Sequence, residues 1–162
     1  MTSSWADHGG TQEPPLQSRN HESGRPRELR LASMDPHRPL VLVADDSRLV
    51  TELIRRWLQQ VGAIVLTASD GNTALQMGLD NDLDLALVDH VLPGRVGSEV
   101  VQEWRRQGRE FAVIMISAIA DAETQAESLA LGANAYLAKP ISADELLEEI
   151  SFVLGRSDLK KP

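Results

Sequence analysis

From Leu40 to Val153 short apolar runs alternate with longer stretches in which apolar residues recur every three or four positions. The runs LVLVA, AIVLT, DLALV, FAVIMI and NAYLA predict strands at 40–44, 63–67, 84–88, 111–116 and 134–138. Between them the helical period returns. Leu49, Leu53, Ile54, Trp57, Leu58 and Val61 form one stripe, and Val100, Val101 and Trp104 a second. Ala122, Ala126, Leu129 and Ala130 form a third, and Ala143, Leu146, Leu147, Ile150 and Val153 a fourth. Strands alternating with helices in this way predict an α/β fold, a parallel sheet with helices on both faces. The first, third and fourth runs are nearly all apolar, so they belong at its centre, buried on both sides.

Polar residues mark the boundaries. Ser47 and Ser142 are candidate N-caps, and Glu145 stands three residues after Ser142, as a capping box requires. Asp70-Gly71 marks the turn into the second helix, while Gly62, Gly108, Gly132 and Gly155 follow periodic stretches as C-terminal stops. Trp57, Trp104, Met77 and Met115 fall among other apolar residues and read as core packing.

Residues 1–38 hold Pro14, Pro15, Pro26, Pro36 and three glycines with almost no spaced apolar positions, a composition expected to form a disordered arm. The arm is either a partner-binding segment or an unselected extension, and Met34 offers an alternative translation start. One domain is expected over 39–156, with a short tail over 157–162. The tail is too short for an effector domain, so a stand-alone module is expected.

Charge separates arm from body. Residues 1–39 are neutral, so the formal net charge of −8 falls in residues 40–162, where 11 basic residues face 19 acidic ones. An acidic body is a poor partner for a phosphate backbone, and no DNA contact is expected. The chain has no cysteine, which excludes disulfides and thiolate metal sites. It shows neither an apolar run of the roughly 20 residues that cross a bilayer nor a signal peptide, so a cytoplasmic location is expected.

Candidate chemistry stands at the ends of the strand runs: Asp45 and Asp46 after LVLVA, Asp89 after LALV, Ser117 after VIMI, and Lys139-Pro140 after AYLA. Parallel strands aim their C-terminal ends at a common crevice, so these side chains can meet. Three carboxylates repel one another unless a cation neutralises them, and Mg2+ suits carboxylates combined with phosphate oxygens. Lys139 supplies a point charge and Ser117 a hydroxyl for a phosphoryl group.

These residues carry a resemblance. VLVADDSRLV, ASDGNTAL, LALVDHVLPGRVG, VIMISA and GANAYLAKP, in that order and spacing, resemble the receiver domain of two-component response regulators over residues 40 to about 155. The resemblance implies a flavodoxin-like (βα)5 sandwich with strand order 2-1-3-4-5. It implies that Asp89 accepts a phosphoryl group from the phosphohistidine of a sensor kinase or phosphotransfer protein. Asp45, Asp46, Asp89 and the Val91 carbonyl would hold Mg2+, Lys139 would neutralise charge, and Ser117 with Tyr136 would report the modification. Such a protein catalyses only its own phosphorylation and dephosphorylation. It signals through protein contacts at the fourth helix, fifth strand and fifth helix, as a monomer or a phosphorylation-dependent dimer.

The chain departs from the family pattern at Val91 and Ile119, apolar where many relatives carry polar residues that align water, and at Val96 in the loop PGRVG. His90 reads as a loop residue modulating access in preference to an acid/base group or metal ligand, since no second histidine is spaced to share a metal. Glu145, Glu148, Glu149 and Asp144 read as a solvated face, with a docking surface for a basic partner as the alternative. Two other functional classes stand beside the phosphoacceptor. One is a scaffold of the same fold that is never phosphorylated, which would be expected to lack the acceptor, an acidic partner or the lysine. The other is a Mg-dependent phosphohydrolase, whose Asp-x-Asp arrangement the adjacent pair does not match.

Overall fold

The runs become strands β1 (Leu40–Ala44), β2 (Ile64–Ala68), β3 (Leu85–Asp89), β4 (Ala112–Ser117) and β5 (Ala135–Ala138) in a computed structural model that describes residues 38–155. Helices α1 (Arg48–Gln60), α2 (Gly71–Asp80), α3 (Gly97–Arg106), α4 (Ala122–Ala130) and α5 (Ala143–Val153) alternate with them. The arm, apart from Arg38, and the tail lie outside the described residues. All neighbouring strands pair in parallel, in the order β2-β1-β3-β4-β5.

Strand alternation divides the core in two. Leu42, Ala86, Val88, Val113 and Met115 face α2 and α3, where Trp104 is fully buried. Val41, Val43, Leu85, Leu87, Ile114 and Ile116 face α1 and α5. Gly78 lets the indole in: a Cβ there would lie 2.2 Å from Trp104 Nε1, which donates to the Leu75 carbonyl at 3.0 Å.

Four strands begin one residue later than the apolar runs suggested, and two of the lead-in residues use their side chains to hold neighbouring strands. Asp84 Oδ2 accepts from Leu40 N at 2.7 Å, and Asn134 Oδ1 accepts from Val113 N at 2.9 Å. At the other end β3 and β4 run on to include Asp89 and Ser117, so both chemical side chains are held by strand backbone.

Two helical stripes need correction. In α1 the buried face is Ile54 and Leu58 with Val50, Trp57 and Val61 partly buried, while Leu49 and Leu53 are 80% and 44% exposed. In α4 the expected stripe is inverted: Ala122, Ala126, Leu129 and Ala130 are all exposed, and Ser128 is the buried residue. A small hydroxyl that donates to the Thr124 carbonyl at 2.9 Å buries more cheaply than its polarity suggests. The stripes of α3 and α5 are as expected. No described helix is long and apolar enough to cross a membrane.

The caps follow their sequence signals at Ser47, Asp70 and the Ser142/Glu145 box, and all four expected stop glycines have positive φ. Asp121, not singled out in the sequence, caps α4 as Asp70 caps α2; each accepts from the threonine three residues on, at 2.8 and 2.7 Å. The threonine amide and hydroxyl hold both carboxyls below the usual aspartate pKa. A lowered folded-state pKa contributes stability above the ordinary aspartate range, lost as pH falls through the lowered value. Asp70→Ala and Asp121→Ala should therefore lower Tm at pH 7 and leave it almost unchanged at pH 2 in a thermal melt.

Candidate functional site

The chain leaves β1 into Asp45, whose amide donates to the Ala68 carbonyl at 3.1 Å and whose Oδ1 accepts from Ser47 N at 2.8 Å. Ser47 is also the N-cap of α1, so the helix start and the carboxylate are oriented by one turn. Thr51 Oγ1 adds a hydrogen bond to the Asp45 carbonyl at 3.3 Å. Asp89 ends β3, and its Oδ1 accepts from Val91 N at 3.1 Å. Lys139 follows β5, where its amide donates to the Ser117 carbonyl at 2.8 Å.

The Lys139 ammonium then bridges the two aspartates, 2.6 Å from Asp45 Oδ2 and 2.8 Å from Asp89 Oδ2. Both carboxylates are buried, so each has one oxygen on a backbone amide and the other on the lysine. Burial alone would depress the Lys139 pKa, but the hydrogen bonds and charges of Asp45 and Asp89 outweigh it and raise it. Asp46 is exposed beside them, and ligand oxygens of Asp45, Asp46 and Asp89 all lie within 4.8 Å of one another. Three carboxylates against one ammonium leave two negative charges, the deficit that one divalent cation neutralises. Hard oxygen donors at this spacing fit Mg2+.

Ser117 is wholly buried, and its Oγ accepts from Ile119 N at 3.1 Å. Tyr136, half-buried on β5, donates its hydroxyl to the Ile119 carbonyl at 2.5 Å. Ile119 is thus held at both ends of its backbone by the two expected reporter residues. This connection was not visible in the sequence, where Ile119 stood out only as an apolar departure.

The loop after Asp89 is clamped by glycines. Gly97 N donates to the His90 carbonyl at 2.8 Å, and a Cβ on Gly97 would lie 2.1 Å from the Asp89 carbonyl oxygen. Gly71 N donates to the Pro93 carbonyl at 2.9 Å, with the Arg95 carbonyl 2.1 Å from where its Cβ would be. The motifs DG and PGRVG contained these glycines; the close approach between the two loops is tertiary and left no local signal. Val91 is 58% exposed at the mouth of the site. His90 is half-buried, its Nδ1 buried without a hydrogen-bond partner, and it does not join the acidic cluster.

Two clefts flank the cluster. One of about 400 Å³ is lined by Asp45, Asp46, Arg48, Thr51, Glu52 and Ser69 among others. The other, about 350 Å³, is walled by Val50, Leu53, Trp57, Pro140 and Ile141 and reaches Lys139.

A family model described as the response regulator receiver domain matches residues 41–151. Among curated proteins, the alkaline phosphatase synthesis transcriptional regulatory protein PhoP of Bacillus subtilis is 34% identical over 122 residues, covering 75% of this chain and 51% of that protein. The transcriptional regulatory protein CpxR of Klebsiella pneumoniae is 38% identical over 117 residues, 72% of this chain and 50% of its own length. The chain therefore spans about half the length of these relatives. Among solved structures, the receiver domain of a Francisella response regulator has a TM-score of 0.69 at 32% identity, over 72% of this chain and 97% of that one.

Proposed function

This chain belongs to the response-regulator receiver family, and from that premise we propose that Asp89 is its phosphoacceptor, served by a phosphohistidine of a sensor kinase or phosphotransfer protein. The observation that carries the reading is Lys139, bridging Asp45 and Asp89 with Asp46 beside them. Asp45, Asp46, Asp89 and the Val91 carbonyl would hold Mg2+, which when bound supplies charge neutralisation for phosphate oxygens.

Transfer needs little else. An Asp89 carboxylate oxygen forms the new O–P bond as the donor's N–P bond breaks, and the imidazole nitrogen keeps the bonding pair. Lys139 and the Val91 amide hold the nucleophile in place, and positioning with charge neutralisation is most of what phosphoryl transfer requires. The product replaces the carboxylate's single negative charge with an acyl phosphate of about −1.5 to −2, and places three acceptor oxygens beside Ser117. A hydroxyl drawn towards those oxygens alters its bond to Ile119 N, and Tyr136, bonded to the Ile119 carbonyl, feels the change. The shift passes to the start of α4 and the β5 edge, to be read by a protein partner in the cytoplasm.

Incubation with Mg2+ and an acyl-phosphate donor should add the mass of one phosphoryl group, and beryllofluoride should block the uptake. No mass gain with any donor, and no beryllofluoride binding, would leave only the unphosphorylated scaffold.

Val91 and Ile119 set the lifetime of the modified state. With apolar side chains at both positions, nothing there orients a water for attack on the acyl phosphate. Val91→Asn should speed phosphate loss roughly tenfold, about 1.4 kcal/mol of barrier, measured as decay of the phosphorylated mass. An unchanged decay rate would sink the assignment.

A further inference from the structure

Arg38 Nε donates to the Gly62 carbonyl at 2.9 Å and Ile64 N to the Pro39 carbonyl at 2.9 Å, so residues 1–37 join the domain beside the C-terminal end of α1. The cleft that reaches Lys139 lies along the same helix. Leu49, Leu53 and Trp57 stand one turn apart on one side of α1, and both leucines are exposed. Leu53 and Trp57, with Val50 and Ile54, share this groove with Pro140 and Ile141, and Lys139 is the polar residue of its lining. Lys139 in turn holds the acid cluster, which keeps two surplus negative charges. The guanidinium groups of Arg48 and Arg55 line the other cleft.

The arm carries the complement of this groove. Its few apolar residues include Leu29 and Leu31, close before Arg38, and extended backbone would put Arg25, Arg27, Leu29 and Leu31 on one side, with Glu28 and Arg30 on the other. The stretch between Leu31 and Arg38 can span about 23 Å, and Leu53 stands about 14 Å along α1 from Gly62. The leucines can therefore reach Leu53 and Trp57, with Arg27 further on towards the acid cluster. We propose that residues 25–31 fold back onto the groove, Leu29 and Leu31 against Leu53, Trp57 and Ile141 and Arg27 at the carboxylates, so that the chain's own arm covers Asp89 and competes with the divalent cation. A short tether gives such a segment an effective concentration on the order of millimolar, so a contact of small area suffices. The same segment on another protein would lack that advantage. The proposal rests on the phosphoacceptor reading only for its consequence, slower phosphoryl uptake; the docking does not need it.

The chain has no cysteine, so Ser23→Cys offers a unique attachment for a nitroxide in the full chain. In metal-free buffer the label should broaden the amide signals of Leu49, His90 and Ile141 and spare Gln76, exposed on α2 across the sheet. Leu29→Ser with Leu31→Ser should remove that contrast. The same double variant should tighten Mg2+ binding about fivefold in a chemical-shift titration, the gain from freeing a site covered about four-fifths of the time. Its phosphoryl uptake from a small acyl-phosphate donor should rise by a similar factor. Arg27→Gln should loosen the arm in both the label and the Mg2+ measurements, while Arg30→Gln, on the outer side, should leave both as in the wild type. Equal effects of the two arginines would overturn the proposal, because the attraction would then be that of a basic arm to an acidic body. So would broadening that is even over the domain and unmoved by the leucine substitutions. Broadening of an isotope-labelled chain by a separate spin-labelled one would also overturn it, by giving the groove to a second copy. Label contacts in a chain that takes up no phosphoryl group would uphold the docking and reject the phosphoacceptor reading; uptake without label contacts, at one rate with or without the leucines, would do the opposite.

Discussion

Asp89→Asn is expected to take up no phosphoryl group from any donor, while the wild type gains one. An amide is not a nucleophile towards phosphorus at neutral pH, and removing the attacking group of an enzyme has cost on the order of 10⁶ in rate. The neighbours do not substitute for it. Asp45 has both oxygens engaged, one by the Ser47 amide and one by Lys139, and it is buried. Asp46 is exposed and lacks the lysine that would neutralise the developing charge. The fold should survive, since asparagine keeps the volume and still presents a carbonyl oxygen to Val91 N. The same variant removes one of three crowded carboxylates, so its stability in metal-free buffer should equal or exceed that of the wild type. Mg2+ should stabilise the wild type by about 1.4 kcal/mol at ten times its Kd, and Asp89→Asn by less at the same concentration. Mass spectrometry and thermal melts with and without Mg2+ check both parts. Uptake by Asp89→Asn would move the acceptor elsewhere.

Much of this site was legible because it is built from strand ends. Apolar runs announce parallel strands, and their C-terminal ends share a crevice, so Asp45, Asp46, Asp89 and Lys139, which the fold brings together, were legible from their places along the chain. The core of α3 and α5 was equally plain, because Val100, Trp104, Leu146 and Ile150 are large and periodic. Helix α4 was not, for a physical reason. Alanine gains little by burial and loses little by exposure, so a stripe of Ala122, Ala126 and Ala130 hardly fixes which face turns inward. Ser128, with its hydroxyl satisfied inside its own helix, took the buried place. The α1 ridge misled differently. Leu49 and Leu53 have the period of a core face but are exposed at its border, where Leu53 lines the cleft that reaches Lys139. The glycine cradle of the loop after Asp89 and the double hold on Ile119 are contacts between segments distant in sequence, which no local pattern encodes.

The last consequence concerns Lys139, where structure and chemistry depend on one ammonium. Lys139→Met keeps most of the apolar stem and removes the charge, leaving Asp45 and Asp89 buried side by side with no counter-ion. Breaking a buried pair by deleting one partner costs about 3 to 5 kcal/mol. The lower figure applies here, because the lysine side chain keeps 20% of its surface in solvent and each aspartate retains one amide hydrogen bond. Since the Lys139 pKa is raised, the ammonium's contribution is fully present at neutral pH and fades only as pH rises through that elevated value. Wild type and variant should therefore differ by about 3 kcal/mol at pH 7 in a urea titration without metal, and the gap should narrow in strongly alkaline buffer. Mg2+ separates the structural role from the chemical one. The cation can replace the missing positive charge between the carboxylates, so the variant should gain more stability from saturating Mg2+ than the wild type does. Phosphoryl uptake should not return with it, because the lysine proposed to contact the incoming phosphoryl oxygens is still missing. A variant whose stability is rescued by Mg2+ and whose uptake is also rescued would show that Lys139 only balances charge.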